Sequence, residues 1–303
     1  MLIVFDTRLT SANIMSLTTK DVCPVSNIKI NSFPDFKSFV FPGGEVQVSL
    51  NGNSRHPNRD KDVVINAKIT NSEDLMSLLL VTDALKREGK TDITLVMPYV
   101  PYARQDRVCN PGEAHSLKVF ASLINAQQYS RVEVFDPHSD VTEALINNIV
   151  IRSNHEFAKA AIFDAIGNRN APFHLISPDA GACKKIHYLG RYLSDYMLDF
   201  DIVTCNKEYN IKTGAITSFS VGYSDLEGKP CVIVDDILSR GGTFLGLAKA
   251  LKERNAGDLY LIVSHDEGVA NKEMFKTAGF AKVFKTNSLS DRNDEMFTNM
   301  RLF

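Results

Sequence analysis

The sequence predicts an α/β protein whose sheets are mostly parallel and flanked by helices. Three observations predict it. Strand-like apolar runs alternate with helix-like segments along most of the chain. Runs such as CVIV (231–234) and LYLIV (259–263) lack the polar residue at every second position that marks a half-exposed strand, so both faces are expected to be buried. Charged and small residues crowd just after the strands, where ligands of open α/β sheets bind.

In chain order, MLIVFDTRLT reads as a first strand and not as a leader peptide, because Asp6 breaks it and no basic flank precedes it. NSEDLMSLLLVTDALKREGK (71–90) is a helix with Asn71 or Ser72 as N-cap and Gly89 at its end. DITLVMPYV (92–100) is a buried strand, SLKVFASLINA (116–126) a helix and RVEVFD (131–136) a strand. HEFAKAAIFDAIG (155–167) is helical, and FHLISPD (173–179) is a strand that leads into a helix near 181–194. FDIVTC, AITSFS and CVIVDD follow as strands, then a helix over 242–254 and the strand LYLIVS.

At 303 residues the length suggests two domains, each large enough for its own core. The segment 144–154 is the expected crossover, and the boundary is drawn between a domain at 1–148 and one at 149–303. A formal net charge of -2 offers no attraction to nucleic acid or to an anionic membrane. No apolar stretch approaches the roughly 20 residues that span a bilayer, so a cytoplasmic protein is expected. The five cysteines show no metal-type spacing and read as reduced thiols.

Four segments that follow strands carry the chemistry. CVIVDDILSRGGTF (231–244) runs from a strand ending in Asp235 and Asp236 through Ser239, Arg240, Gly241, Gly242 and Thr243 into a helix. Free backbone N–H groups and the positive end of the helix dipole make such a turn a phosphate cradle. ARQDR supplies Arg104 and Arg107, whose guanidinium forks suit polyphosphate oxygens. FDPHSD places Asp136 and His138 at a strand end, and SPDAGA places Asp179 where an aspartate commonly caps a helix. Without a P-loop, a dinucleotide fingerprint or a nucleophile paired with a histidine, this inventory points to the positioning of phosphates, with Mg²⁺ as the expected metal because the donors are mainly oxygen.

FPGGEVQV, LLLVTDALKREGK, VMPYVPYARQDR, FDPHSD, LISPDAGA and VIVDDILSRGGT, in this order, resemble the ribose-phosphate pyrophosphokinase family over about residues 41–288. The resemblance implies two tandem type I phosphoribosyltransferase-like domains, assembled as a homodimer or hexamer. It implies transfer of the β,γ-diphosphoryl group of Mg-ATP to the 1-hydroxyl of ribose 5-phosphate. On the matching positions, Phe41 and Glu45 would contact adenine from a neighbouring subunit, and Arg104, Gln105 and Arg107 would hold ATP. His138 and Asp179 would lie around the metal and the reacting phosphates. Asp235 and Asp236 would bind the ribose hydroxyls, and Ser239 to Thr243 the 5-phosphate.

This chain also departs from the family pattern. Ser239 and Arg240 stand where the family turn usually has Asp and Thr, a change of two charge units toward positive. Of the family's Lys-Arg-Arg loop motif only the lysine remains, as Lys207, followed by Glu208 and Tyr209. Gly43 replaces the usual adenine-contacting Asp, and PGEAHS the usual Arg-Glu-Pro segment. The arginine leaves room for a 5-substituted ribose such as ADP-ribose as an alternative acceptor. The altered loop leaves room for a non-catalytic partner of a synthetase.

Overall fold

A computed structural model describes residues 27–31, 36–50, 62–167, 171–209 and 216–302. The N-terminal run expected as a first strand lies outside them. The chain divides into two compact units that meet in sequence between Arg152 and Ser153.

The N-terminal unit contains β1 (Ile28–Asn31), β2 (Phe36–Val40), β3 (Val46–Leu50), β4 (Asp62–Ala67), α1 (Ser72–Arg87), β5 (Asp92–Val96), α2 (Ser116–Ala126), β6 (Arg131–Phe135), α3 (Val141–Leu145) and β7 (Ile149–Arg152). Its main sheet has the order β1-β4-β5-β6-β7. The last four strands run parallel and β1 pairs antiparallel at the edge. β2 and β3 form a separate antiparallel hairpin.

α1 starts where its sequence says it should. The Asn71 side chain accepts from the Asp74 N–H at 2.9 Å, and the Asp74 carboxylate accepts from the N–H and hydroxyl of Thr70. Leu78, Val81 and Leu85 fall on one face and are buried in the core with Ile65 and Leu95 of the sheet. β5 stops at Val96, short of the expected Val100, because Pro98 and Pro101 cannot donate to a ladder.

The C-terminal unit contains α4 (His155–Ile166), β8 (Phe173–Ser177), α5 (Cys183–Ser194), β9 (Phe200–Tyr209), β10 (Ile216–Val221), β11 (Cys231–Leu238), α6 (Gly242–Lys252), β12 (Leu259–Asp266), α7 (Lys272–Thr277), β13 (Phe280–Thr286) and β14 (Phe297–Met300). Its sheet has the order β10-β9-β8-β11-β12-β13-β14. All neighbours run parallel except β9 and β10, which pair antiparallel.

Two expectations need correction here. β11 does not end at Asp235 and Asp236 but continues to Leu238, since β12 runs on alongside and pairs His265 with Ile237 and Asp266 with Leu238. α6 stops at Lys252, two residues before the expected Arg254. Sheet pairing and helix ends depend on partners distant in sequence, which a local pattern does not contain.

Candidate active site

In the N-terminal unit, β5 and β6 lie side by side and both loops leave the same sheet edge. The Met97 N–H donates to the Glu133 carbonyl at 2.8 Å, and the Phe135 N–H to the Pro98 carbonyl at 3.1 Å. The first loop is pinned by buried Ala103 and by the Tyr102 ring, whose centroid lies 5.8 Å from that of Phe120. Tyr102 adopts φ 64°, and the turn closes through the Gln105 N–H to the Tyr102 carbonyl at 2.8 Å. Arg104, Gln105 and Arg107 are thereby left at the surface.

Asp106, absent from the sequence candidates, organises this edge. Its carboxylate is buried and takes Arg107 Nε at 2.8 Å and Nη2 at 3.2 Å. The Arg107 guanidinium holds the Asp106 carboxyl below its usual range against the opposing effect of burial, and the charge of His138 in the second loop adds to it. The acid between two arginines therefore anchors Arg107 and lies within reach of the His138 charge. His138 is exposed on its turn, whereas Asp136 is buried at φ 40° with its N–H on the Arg152 carbonyl at 2.9 Å.

Phe41 and Glu45 close the turn of the β2–β3 hairpin, where the Phe41 N–H donates to the Glu45 carbonyl at 2.8 Å. Both side chains are exposed, and Phe41 packs edge-on against exposed Phe39 at 5.0 Å between centroids.

The C-terminal unit gathers its candidates at the carboxyl edge of β8, β9 and β11. Asp179 follows β8 at the turn into α5: its Oδ1 accepts from the Ala182 N–H at 3.0 Å, and its Oδ2 receives Lys207 Nζ at 2.6 Å. Burial pushes the Asp179 carboxyl up, but Lys207 and the Ala182 and Gly181 amides outweigh it and hold the group below its usual value.

Asp235 Oδ1 accepts from the Asp236 N–H at 2.9 Å. Burial, then the charges of Asp236 and Asp179, raise the Asp235 carboxyl well above its usual value. The Asp235 side chain also lines a cavity with Asn154, Lys185 and Leu189 that has room for about one water.

Beyond β11, Ser239 is half-buried and Arg240 exposed, and Gly241 stands at φ 85° just before α6. Gly242 opens the helix with no atom within 4 Å of the position a Cβ would take, so the backbone at the α6 N-terminus is open to close approach. Thr243 is half-buried in the first turn. The first N–H groups of an 11-residue helix face this turn, beside the acids of β11.

Both oxygens of Asp179 are engaged by its own chain, and His138 belongs to the other unit. Among the described residues no group of three or more His, Cys, Asp or Glu side chains is placed to hold a metal ion. The expected metal residues His138 and Asp179 belong to no such group.

Residues 9–127 match the family model described as the N-terminal domain of ribose phosphate pyrophosphokinase, and residues 145–293 match the phosphoribosyl transferase domain. The ribose-phosphate pyrophosphokinase of Marinomonas sp. (strain MWYL1) is 30% identical over 246 residues, covering 80% of this chain and 71% of the relative. The chain belongs to the ribose-phosphate pyrophosphokinase family. The ribose-phosphate pyrophosphokinase of Chlorobaculum tepidum is likewise 30% identical, over 86% of this chain and 77% of its own length. The crystal structure of phosphoribosylpyrophosphate synthetase from Mycobacterium smegmatis superposes with a TM-score of 0.72 at 22% identity, covering 88% of this chain and 86% of that one, a likeness of fold. As a member of the ribose-phosphate pyrophosphokinase family the chain is an enzyme, and its fold is that of two tandem phosphoribosyltransferase-type domains. Among the described residues no helix is long and apolar enough to cross a membrane.

Proposed function

We propose that the enzyme transfers the β,γ-diphosphoryl group of Mg-ATP to the 1-hydroxyl of ribose 5-phosphate, giving phosphoribosyl pyrophosphate and AMP. The anomeric oxygen forms a bond to the β-phosphorus while the bond from that phosphorus to the α,β-bridging oxygen breaks. AMP leaves with the electron pair, and the hydroxyl proton passes to water. Such a transfer needs in-line positioning and neutralisation of charge, with no covalent intermediate on the protein.

In this reading residues 1–148 form the ATP side and residues 149–303 the ribose-phosphate side. Arg104, Gln105 and Arg107 take the triphosphate, and the exposed Phe41 and Glu45 of a neighbouring subunit take adenine in a cytoplasmic homodimer or hexamer. His138 and Lys207 face the transferred phosphates. Asp235 and Asp236 accept from the ribose hydroxyls, and the turn from Ser239 to Thr243 holds the 5-phosphate. Arg240 adds a guanidinium to that anion site, in place of the family's neutral threonine.

The observation that carries the reading is the open α6 N-terminus: Gly241 at φ 85° and an unobstructed Gly242, next to the paired acids of β11. The test is a ³¹P NMR time course with Mg-ATP and ribose 5-phosphate, ADP-ribose or no acceptor. AMP with a new anomeric diphosphate from ribose 5-phosphate is the expected result. These signals with ADP-ribose alone would overturn the choice of acceptor, and AMP with neither would overturn the transfer. Arg240→Thr is expected to raise the KM for the phosphorylated acceptor about tenfold, the size of one lost charge-assisted contact.

A further inference from the structure

We infer that Lys285 is a positioning residue for the turn from Ser239 to Thr243: its buried ammonium joins the loops after β12 and β13 into one platform on which that turn rests. The inference rests on the reading in which this turn holds the 5-phosphate, and concerns what keeps the turn in shape.

Stability alone does not account for this lysine. Lys285 and Asp266 lie near the carboxyl ends of β13 and β12 with neither side chain exposed, and Nζ stands 3.6 Å from Oδ2. A well-packed apolar pair commonly stabilises a core as much as a buried ion pair does, so what the charges add is a fixed geometry. Lys285 also donates to the Ser290 carbonyl in the loop after β13. Asp266 Oδ1 accepts from the Gly268 N–H at 2.9 Å in the loop after β12. One ammonium thus ties two loops that leave different strands.

Two further contacts join the same loops. Gly268 stands at φ 75°, and a Cβ there would lie 3.1 Å from Ser290 Oγ. Arg292 Nη1 donates to the Ala270 carbonyl at 2.6 Å, while the guanidinium lies 3.5 Å from the centre of the Phe297 ring.

The platform reaches the turn at both of its ends. The Glu267 N–H donates at 2.9 Å to the carbonyl of Leu238, the residue before Ser239. Phe275 of α7 closes against Gly241 and leaves no space for a Cβ. Gly241 caps α6 with no side-chain hydrogen bond, so the N–H groups at the helix start are aimed by what surrounds them. An anion held by such N–H groups depends on their direction, and a displaced turn loses it.

Positioning and plain stability differ in their kinetics. Loss of folded protein lowers kcat with the active fraction and leaves KM alone, whereas a misaligned turn raises the KM for the phosphorylated acceptor. Lys285→Met combined with Asp266→Asn removes both charges and strands neither. Asp266→Asn, which leaves the lysine its bond to Ser290, is the second variant should the first misfold.

The experiment measures, on the full chain, steady-state kinetics and the hydrogen–deuterium exchange of backbone amides by mass spectrometry. Expected in either variant are a KM for ribose 5-phosphate at least fivefold higher, with kcat and the KM for Mg-ATP within twofold of wild type. Exchange over residues 239–246 should speed up at least fivefold more than exchange over α5. An unchanged KM for ribose 5-phosphate overturns the inference, and so does equal acceleration of the turn and α5, the mark of lost stability alone. Wild type making no AMP while the exchange difference persists would defeat the diphosphoryl-transfer reading and leave the platform standing.

Discussion

A Cβ placed on Gly241 would lie 2.6 Å from Cε2 and 2.7 Å from Cζ of Phe275. Gly241 also stands at φ 85°, where side chains are strained, so two independent reasons require glycine before α6. Phe275 cannot retreat easily, because its ring packs at 5.0 Å from Phe280 and 5.9 Å from Phe297. Gly241→Ala is expected to cost about 2–3 kcal/mol in urea unfolding. Activity at saturating acceptor should fall as well, since the turn that frames the α6 N-terminus shifts. A change below about 0.5 kcal/mol would show that the turn relaxes freely.

Gly246 bears on the site through Phe219 of β10. Gly246→Val would drive a branched side chain into Phe219, the cross-strand partner of Lys207. The expected outcome is about 1–3 kcal/mol of lost stability. Because β9 is disturbed with β10, kcat should fall more than the KM for ribose 5-phosphate changes. Equal effects on kcat and kcat/KM of a Gly246→Ala control, at unchanged stability, would point to a lost transition-state contact and contradict a packing role.

Asp106 makes a prediction about pH. Its folded carboxyl lies below the unfolded value, so the stabilisation is present above about pH 4 and is lost as pH falls through the depressed folded value. Asp106→Asn should remove about 1–2 kcal/mol at pH 7, the size of a charge-assisted hydrogen bond. The difference between variant and wild type should shrink on acidification in urea titrations. A difference that stays constant below pH 4 would mean that the carboxylate charge is not what Arg107 recognises.

The pair Lys285 and Asp266 is buried, with Nζ and Oδ2 at 3.6 Å and neither side chain exposed. Asp266 Oδ1 accepts from the Gly268 N–H at 2.9 Å, and Lys285 also donates to the Ser290 carbonyl. Lys285→Met should cost about 3–5 kcal/mol in guanidinium unfolding, since it strands a buried charge. Lys285→Met combined with Asp266→Asn should recover part of that loss. If the double variant is no better than the single one, hydrogen bonding and not charge holds these loops.

The amino-acid sequence by itself determined the α/β class, the helices over 72–87 and 116–126, and the four strand-following segments that carry the candidate residues. These are legible because apolar periodicity, caps and prolines act within a few residues of one another. Only the tertiary structure decided that Asp106 is buried within reach of the His138 charge, that Lys207 rests on Asp179, and that β11 runs on to Leu238. It also decided that β10 runs against β9, where the strand rhythm suggested parallel neighbours. The physical reason is range: each of these relations joins groups on different strands or loops, and the charge, burial and register that create them exist only once the sheet has brought those strands together.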